Sequence, residues 1–128
     1  MRVLLDTHTF LWFILDDPQL SASARMLIED PANDVEVSPA SYWEIAIKIG
    51  KGKYALPEPY ETFMERQITT NDFRILHILP KHTSILTTLP PHHKDPFDRL
   101  LVAQAMVESI PVVSIDAALD PYGVTRLW

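Results

Sequence analysis

The sequence predicts an α/β fold, a three-layer α/β/α sandwich with a central parallel sheet of four to five strands. Short apolar runs alternate along the chain with segments of helical length, which is typical of strands joined by crossover helices. The runs 3–5 and 112–115 are apolar except for one serine, as expected of strands buried on both faces. The chain has 128 residues, which predicts one domain, 1–128.

The strands are predicted at 2–6, 34–37, 73–79 and 111–116, with a candidate fifth at 123–128. The helices are predicted at 7–15, 22–29, 39–50, 60–70, 81–89 and 96–109. Three helices begin after a good N-cap residue, namely Ser21, Ser38 or Asp95. The apolar neighbours in 39–50, including Trp43 and Ile45, predict that this helix is mostly buried.

Composition limits the function classes. The chain has no cysteine, which excludes disulfides and thiolate metal sites. The apolar run 10–15 is far too short to cross a bilayer, and Asp6 interrupts the start of the chain before a leader can form. We therefore expect a cytoplasmic protein that does not contact a membrane. The net charge of −6 argues against a generic nucleic-acid binder, unless the acids cluster around a metal ion.

Four acids occupy positions at which an α/β fold places its functional sites. Asp6 and Asp116 end two predicted buried strands, and such sites form beyond the carboxyl ends of parallel strands. Asp98 lies in the first turn of a helix that begins at the same edge of the sheet, and Glu44 lies in the predicted buried helix. The pattern predicts that the four carboxylates meet in one pocket.

Carboxylates gathered in one pocket repel one another unless a cation binds among them. Oxygen ligands without cysteine or a histidine pair favour Mg²⁺ or Mn²⁺ over Zn²⁺. An ion of this kind can orient a phosphodiester and activate water for its hydrolysis. The acids thus predict metal-dependent phosphodiester cleavage.

Each acid also has an ordinary structural explanation. Asp6 could cap the following helix, Asp95 and Asp98 could form an acidic cap, and Asp116 could belong to a turn. Glu44 could pair with the lysine one helical turn later. Only the joint pattern, with the acids in this order along an alternating fold, favours the metal site.

At these residues the sequence resembles the PIN-domain family, in particular the VapC-type toxins of bacterial toxin–antitoxin pairs. The resemblance spans nearly the whole chain and is most specific at Asp95–Ala105. The matching segments are 3–8, 38–45, 95–105 and 112–116.

The resemblance implies an Mg²⁺- or Mn²⁺-dependent endoribonuclease that cleaves RNA, is neutralised by a cognate antitoxin protein and forms a homodimer. It implies that Asp6 and Asp98 are core metal ligands and that Glu44 and Asp116 complete the site. The supporting hydrogen-bonding residues it implies are Thr7 and Ser114. Asp95 could replace Asp98 at the metal, although its position favours the helix N-cap.

Basic side chains near the predicted site are candidate RNA contacts. These are Lys48, Lys51, Lys53, Lys94 and Arg99. For the lysines, a solvated helix end explains the pattern slightly better. His92 and His93 are expected to have a structural or RNA-contact role rather than to bind metal, because adjacent side chains in an extended loop point in different directions.

Three other functions fit parts of the pattern. A phosphotransferase with an aspartyl nucleophile at Asp6 would need a second acid at the position of His8. A receiver-like signalling module would need an aspartate after the third strand, which instead ends Ile78-Leu79-Pro80. A PIN fold kept only for binding would not need all four acids.

Overall fold

The computed structural model describes residues 1–128 and contains an all-parallel, five-stranded sheet in the order β3-β2-β1-β4-β5. The strands are β1 (Arg2–Leu5), β2 (Asp34–Val37), β3 (Arg74–Ile75), β4 (Val112–Val113) and β5 (Arg126–Leu127). The helices are α1 (Thr7–Ile14), α2 (Ala22–Glu29), α3 (Pro39–Gly50), α4 (Tyr60–Thr70), α5 (Pro80–Leu86) and α6 (Pro96–Glu108). A 3₁₀ helix (Ala117–Tyr122) precedes β5.

Helices cover both faces of the sheet, which confirms the predicted α/β/α sandwich. The central strand β1 shows how: Val3 and Leu5 pack on one side and Leu4 on the other, all three fully buried. The first side carries residues of α1 to α4, and the second carries residues of α5 and α6. No helix is long and apolar enough to span a bilayer.

Strands β3, β4 and β5 are shorter than the sequence predicts. The segment 73–79 supplies only two strand residues, because the chain leaves the sheet and begins α5 at Pro80. Strand β4 pairs with only Leu4 and Leu5 of β1, because β1 ends where α1 begins. These short ladders place the residues that follow β1 and β4 together at the carboxyl edge.

The predicted helix starts are confirmed by side-chain caps. Ser21, Ser38 and Asp95 each accept a hydrogen bond from a backbone N–H in the first turn of the helix that follows. Asp6 does the same for α1, with 2.8 Å from Thr9 N to Asp6 Oδ1. Capping fixes the direction of each helix relative to the carboxyl edge.

Helix α3 is not mostly buried, which corrects the expectation drawn from its apolar sequence. Ile45 is fully buried, whereas the side chain of Trp43 is 59% exposed. Successive helical residues are about 100° apart, so a helix that packs on one side must present some apolar positions to solvent.

Candidate functional site

Asp6 lies at the carboxyl end of β1, with its carboxylate held by two donors. Its Oδ1 accepts the Thr9 N–H, and its Oδ2 accepts the hydroxyl of Ser114, which follows β4. Only 4% of Asp6 is exposed. The hydroxyl of Thr7 does not bond to a carboxylate; it donates to Ser41 Oγ, 3.2 Å away, and so links α1 to α3.

Asp98 and Asp95 lie together at the start of α6. Asp95 Oδ1 accepts the backbone N–H groups of Phe97 and Asp98, so Asp95 is the N-cap. The Asp98 side chain is free of that role and is 22% exposed. The pKa of Asp98 is raised to about 7, with burial as the largest cause. The charge of Asp95 and, less strongly, those of Asp6 and Glu44 contribute to this rise, whereas His93 opposes it.

Glu44 reaches the site from α3 and is 3% exposed. One oxygen, Oε2, lies 2.7 Å from the Lys48 ammonium one turn later, as the structural explanation of this acid anticipated. The other oxygen, Oε1, is buried without a hydrogen-bond partner. A buried carboxylate oxygen without a donor is unfavourable and indicates a place for a bound cation or its water.

Asp116 follows β4 and is joined to Asp98 through His93. The His93 Nε2 lies 3.0 Å from Asp116 Oδ2 and 3.2 Å from Asp98 Oδ2. The His93 Nδ1 accepts the Asp95 N–H, so Nε2 carries a proton and donates a hydrogen bond to Asp116, with Asp98 within ion-pair distance. Asp116 also caps the 3₁₀ helix through the Ala118 N–H.

The four predicted acids do not form one compact group. The ligand atoms instead form two groups, and within each group they lie no more than 4.8 Å apart. Glu44, Asp95 and Asp98 form the first group, and His93, Asp98 and Asp116 form the second, so Asp98 is common to both. Asp6 belongs to neither and acts on Asp98 through its charge.

The first group fits a divalent cation better than the second. Glu44, Asp95 and Asp98 offer only carboxylate oxygens, the ligands of Mg²⁺ and Mn²⁺, and one of these oxygens is the unpartnered Oε1. In the second group the proton on His93 Nε2 occupies the position that a metal would need, so this histidine is a hydrogen-bond donor there.

The candidate RNA contacts divide into two kinds. Lys51, Lys53 and Lys94 are exposed and form no ion pair. Lys48 is held by Glu44. Arg99 donates to the carbonyl oxygens of residues 89, 90 and 93 and to the hydroxyl of Tyr122, so it fixes the loop before α6 rather than projecting toward a ligand.

His93 lies between two site acids, whereas only a structural or RNA-contact role is expected of it from the sequence. The available signal was local: a histidine two residues before an N-cap aspartate can accept that aspartate's N–H through Nδ1. Its contact with Asp116, 23 residues later, depends on the tertiary fold.

The fold and site define the class of protein. A PIN-domain family model matches residues 3–123, and the chain belongs to that family. This match excludes the receiver-like alternative.

Individual relatives are consistent with this class. The chain is 28% identical over 118 residues to "Ribonuclease VapC22" of Mycobacterium tuberculosis, covering 91% of this chain and 88% of the relative. It superposes with a TM-score of 0.69 on a chain of VapBC2 from Rickettsia felis, crystallised bound to a DNA fragment from their promoter, with 14% identity and coverage of 99% and 98%. For FitAcB from Neisseria gonorrhoeae the TM-score is 0.67, with 18% identity and coverage of 98% and 96%.

Proposed function

We propose that this chain is a Mg²⁺- or Mn²⁺-dependent endoribonuclease and the toxin of a toxin–antitoxin pair. The observation that carries the proposal is the group of carboxylates from Glu44, Asp95 and Asp98, in which Glu44 also has a buried oxygen, Oε1, without a hydrogen-bond partner. The ribonuclease name of the 28% identical relative supports RNA as the substrate.

In this proposal Asp98 is the central metal ligand and shares the cation with Glu44 and Asp95, while Asp6 and Asp116 complete the acidic surroundings of the ion. A bound divalent cation would orient the phosphodiester, activate water and stabilise charge on the leaving oxygen. Asp98 is the acid shared by both groups of ligands, so its loss should affect the site most. The raised pKa of Asp98 supports this role, because a cation would offset both the burial and the repulsion that favour the protonated carboxyl.

The chain's other residues hold these acids in position. Ser114 and the Thr9 N–H fix both oxygens of Asp6, each of which retains a lone pair for a further contact. Ser114 Oγ also accepts the Asp116 N–H at 3.0 Å, so one hydroxyl connects the acids that follow β1 and β4. The N–H group of His93 lies between Asp98 and Asp116, donates a hydrogen bond to Asp116 and reduces the repulsion between the two carboxylates.

The proposed partners are a cognate antitoxin protein and a second copy of the chain. The structural neighbours are VapBC and FitAB assemblies, which supports an antitoxin partner for this fold. The exposed Lys51, Lys53 and Lys94 are proposed to contact the RNA backbone, where unpaired ammonium groups are favourable.

The test is cleavage of a mixed pool of RNAs by the purified, antitoxin-free chain, with Mg²⁺ or Mn²⁺ and with EDTA. We expect cleavage only with the cation. Asp98→Asn should reduce it by more than about 100-fold, because supporting residues of metal sites alone are worth about 10- to 100-fold. The matched control is Asp72→Asn, an exposed aspartate without an ion pair.

Equal cleavage by the Asp98→Asn variant, or cleavage unaffected by EDTA, would contradict the metal site. A folded chain that cleaves no RNA class in either cation would support instead a PIN fold that only binds its partners. Asp6→Asn provides a second check: the amide retains the shape of the carboxylate, so the fold should persist while cleavage is lost.

A further inference from the structure

An aromatic pair lies on the rim of the candidate site and takes no part in the proposed chemistry. The rings of Trp43 and Phe97 meet edge to face, with 5.1 Å between their centroids and an angle of 85° between their planes. Each ring directly precedes a site carboxylate in the sequence: Trp43 precedes Glu44 on α3, and Phe97 precedes Asp98 on α6. The pair thus connects the two helices that carry Glu44 and Asp98, and we call the exposed surface of the two rings the rim of the site.

The indole is unusually open for an aromatic side chain next to a buried acid. Trp43 is 59% exposed, whereas Glu44 is 3% exposed. Aromatic side chains of this size usually bury most of their surface, and their exposure beside a functional site indicates a binding contact. Phe97 is only half-buried, so both rings present surface to solvent.

Phosphate contacts offer this chain limited affinity for RNA, because only Lys51, Lys53 and Lys94 among the candidate RNA contacts are exposed and unpaired. Lys48 is paired with Glu44, and Arg99 is engaged by loop carbonyl oxygens. The whole chain has a net charge of −6. An RNA-binding protein of this charge gains little from non-specific attraction to phosphates, so it needs a contribution that does not depend on charge. Stacking of bases on aromatic rings provides one.

We propose that Trp43 and Phe97 form a stacking platform for one unpaired base of single-stranded RNA, next to the phosphodiester held at the acids. This inference rests on the proposed nuclease function. Each base is joined to its phosphate through a single sugar, so a strand bound at the acids must bring bases to the rim. Bases inside a duplex are already stacked on each other, which makes unpaired RNA the substrate class.

The test measures binding of a short, fluorescently labelled single-stranded RNA by anisotropy, in the Asp6→Asn background with Mg²⁺, where cleavage does not interfere. Trp43→Ala should weaken binding by about 5- to 150-fold, because stacking of one base contributes about 1 to 3 kcal/mol. Trp43→Phe should retain most of the affinity. The control is Met26→Ala, since Met26 is 72% exposed and lies on α2, which contributes nothing to either group of ligands.

A set of RNAs with one abasic nucleotide at each position in turn gives a sharper result. With Trp43 present, one position should lose affinity by a similar factor when its base is removed. With Trp43→Ala, removing that base should change nothing further. This loss of sensitivity distinguishes stacking from a change in fold, which circular dichroism checks independently.

Two results would overturn the platform: unchanged RNA affinity in Trp43→Ala, or equal sensitivity of both chains to the abasic position. If Trp43→Ala instead dissociates a dimer in sedimentation and leaves RNA affinity unchanged, the rings contact a second copy and the proposal is wrong. The test also distinguishes this proposal from the nuclease proposal. If the chain binds RNA without cleaving it, the loss of affinity at one abasic position should still be observed.

Discussion

Helix α6 carries a carboxylate cluster at each end, and the two clusters are balanced differently. At its start, Asp98 lies among Asp95, Glu44 and Asp116, with His93 between Asp98 and Asp116. At its end, Glu108 accepts bonds from three basic side chains: Arg2 at 3.1 Å, Lys81 at 3.2 Å and His82 at 2.9 Å.

The pKa values express the difference. The hydrogen bond from His82 is the largest cause that lowers the pKa of Glu108 to about 2, with further lowering by Arg2 and Lys81 against the effect of burial. The pKa of Asp98 is raised to about 7, with burial as the largest cause and the charges of the neighbouring acids as further causes. The helix dipole favours an acid at the start of α6 and disfavours one at its end, so the local side chains outweigh the dipole at both ends.

The same histidine arrangement occurs in both clusters. His82 and His93 each accept a backbone N–H through Nδ1 and direct Nε2 toward carboxylates. At Glu108 the surrounding basic side chains compensate the carboxylate charge, as in a structural ion-pair network. At Asp98 the carboxylate charges outnumber the donors that could compensate them, as is expected of a cation-binding site. The two residues are ten positions apart, about 15 Å along the helix, so their effects should be separable.

The largest stability effect is expected at the balanced end. Glu108→Gln should lower the free energy of unfolding by about 3 kcal/mol, because it removes the charge that three basic side chains share. Urea denaturation measures this change. The matched control is Glu65→Gln, an exposed helical glutamate without an ion pair, which should change stability by less than about 0.5 kcal/mol.

The pH dependence of that difference checks its origin. The pKa of Glu108 is lower in the fold than its ordinary value of 4.5, so its contribution is present above pH 4.5 and is lost as the pH falls toward about 2. The destabilisation by Glu108→Gln should shrink over this range. A difference that stays constant from pH 6 to pH 2, scanned in steps of about one unit, would mean that charge is not its cause.

Divalent cations should act at the other end alone. Adding Mg²⁺ or Mn²⁺ at a hundred times its dissociation constant should raise the free energy of unfolding by about 2.7 kcal/mol. Glu108→Gln should show the same increment, whereas Asp98→Asn should lose most of it. An increment that Asp98→Asn retains would place the cation elsewhere.

A smaller effect of opposite sign is expected for Asp98→Asn when EDTA removes all cations. The fold raises the pKa of Asp98 from 3.8 to about 7, so its contribution to stability is greatest below pH 3.8 and is lost as the pH rises through about 7. The amide has no charge to bury, so the variant should be more stable than the parent chain at pH 8, by about 1 to 2 kcal/mol after the full shift is discounted for solvent screening of the 22% exposed side chain. At pH 4 the two chains should differ little, and a gain that is equal at both pH values would show that repulsion is not the cause.

Periodicity and capping chemistry predicted most of the fold because they are local. The buried runs of β1 and β4, the caps Ser21, Ser38 and Asp95, and the positions of the acids at strand ends follow from residues adjacent in sequence. The lengths of β3, β4 and β5 could not be predicted in this way, because a strand ends where its pairing with the neighbouring strand ends.

The site was predicted as a set of acids but not as an arrangement. His93 meets Asp116 only through the fold, and Trp43 is exposed because α3 packs through Ile45 and Glu44. The network of Glu108 was not predicted either, since Arg2 and Glu108 are 106 residues apart. The contacts that were not predicted join residues that are far apart in the sequence and close together only in the fold.

The smallest effect separates the buried from the exposed part of the balanced cluster. Lys81 is 57% exposed, so its ion pair with Glu108 is screened by water and by salt, and Lys81→Ala should lower the free energy of unfolding by only about 0.5 kcal/mol. His82 is fully buried, so its contact with Glu108 should carry more of the stability. Urea denaturation at low and high salt tests this, with the Lys81 effect disappearing at high salt. A loss as large as that of Glu108→Gln would show that an exposed cation dominates the network and that burial does not distinguish the two ends of α6.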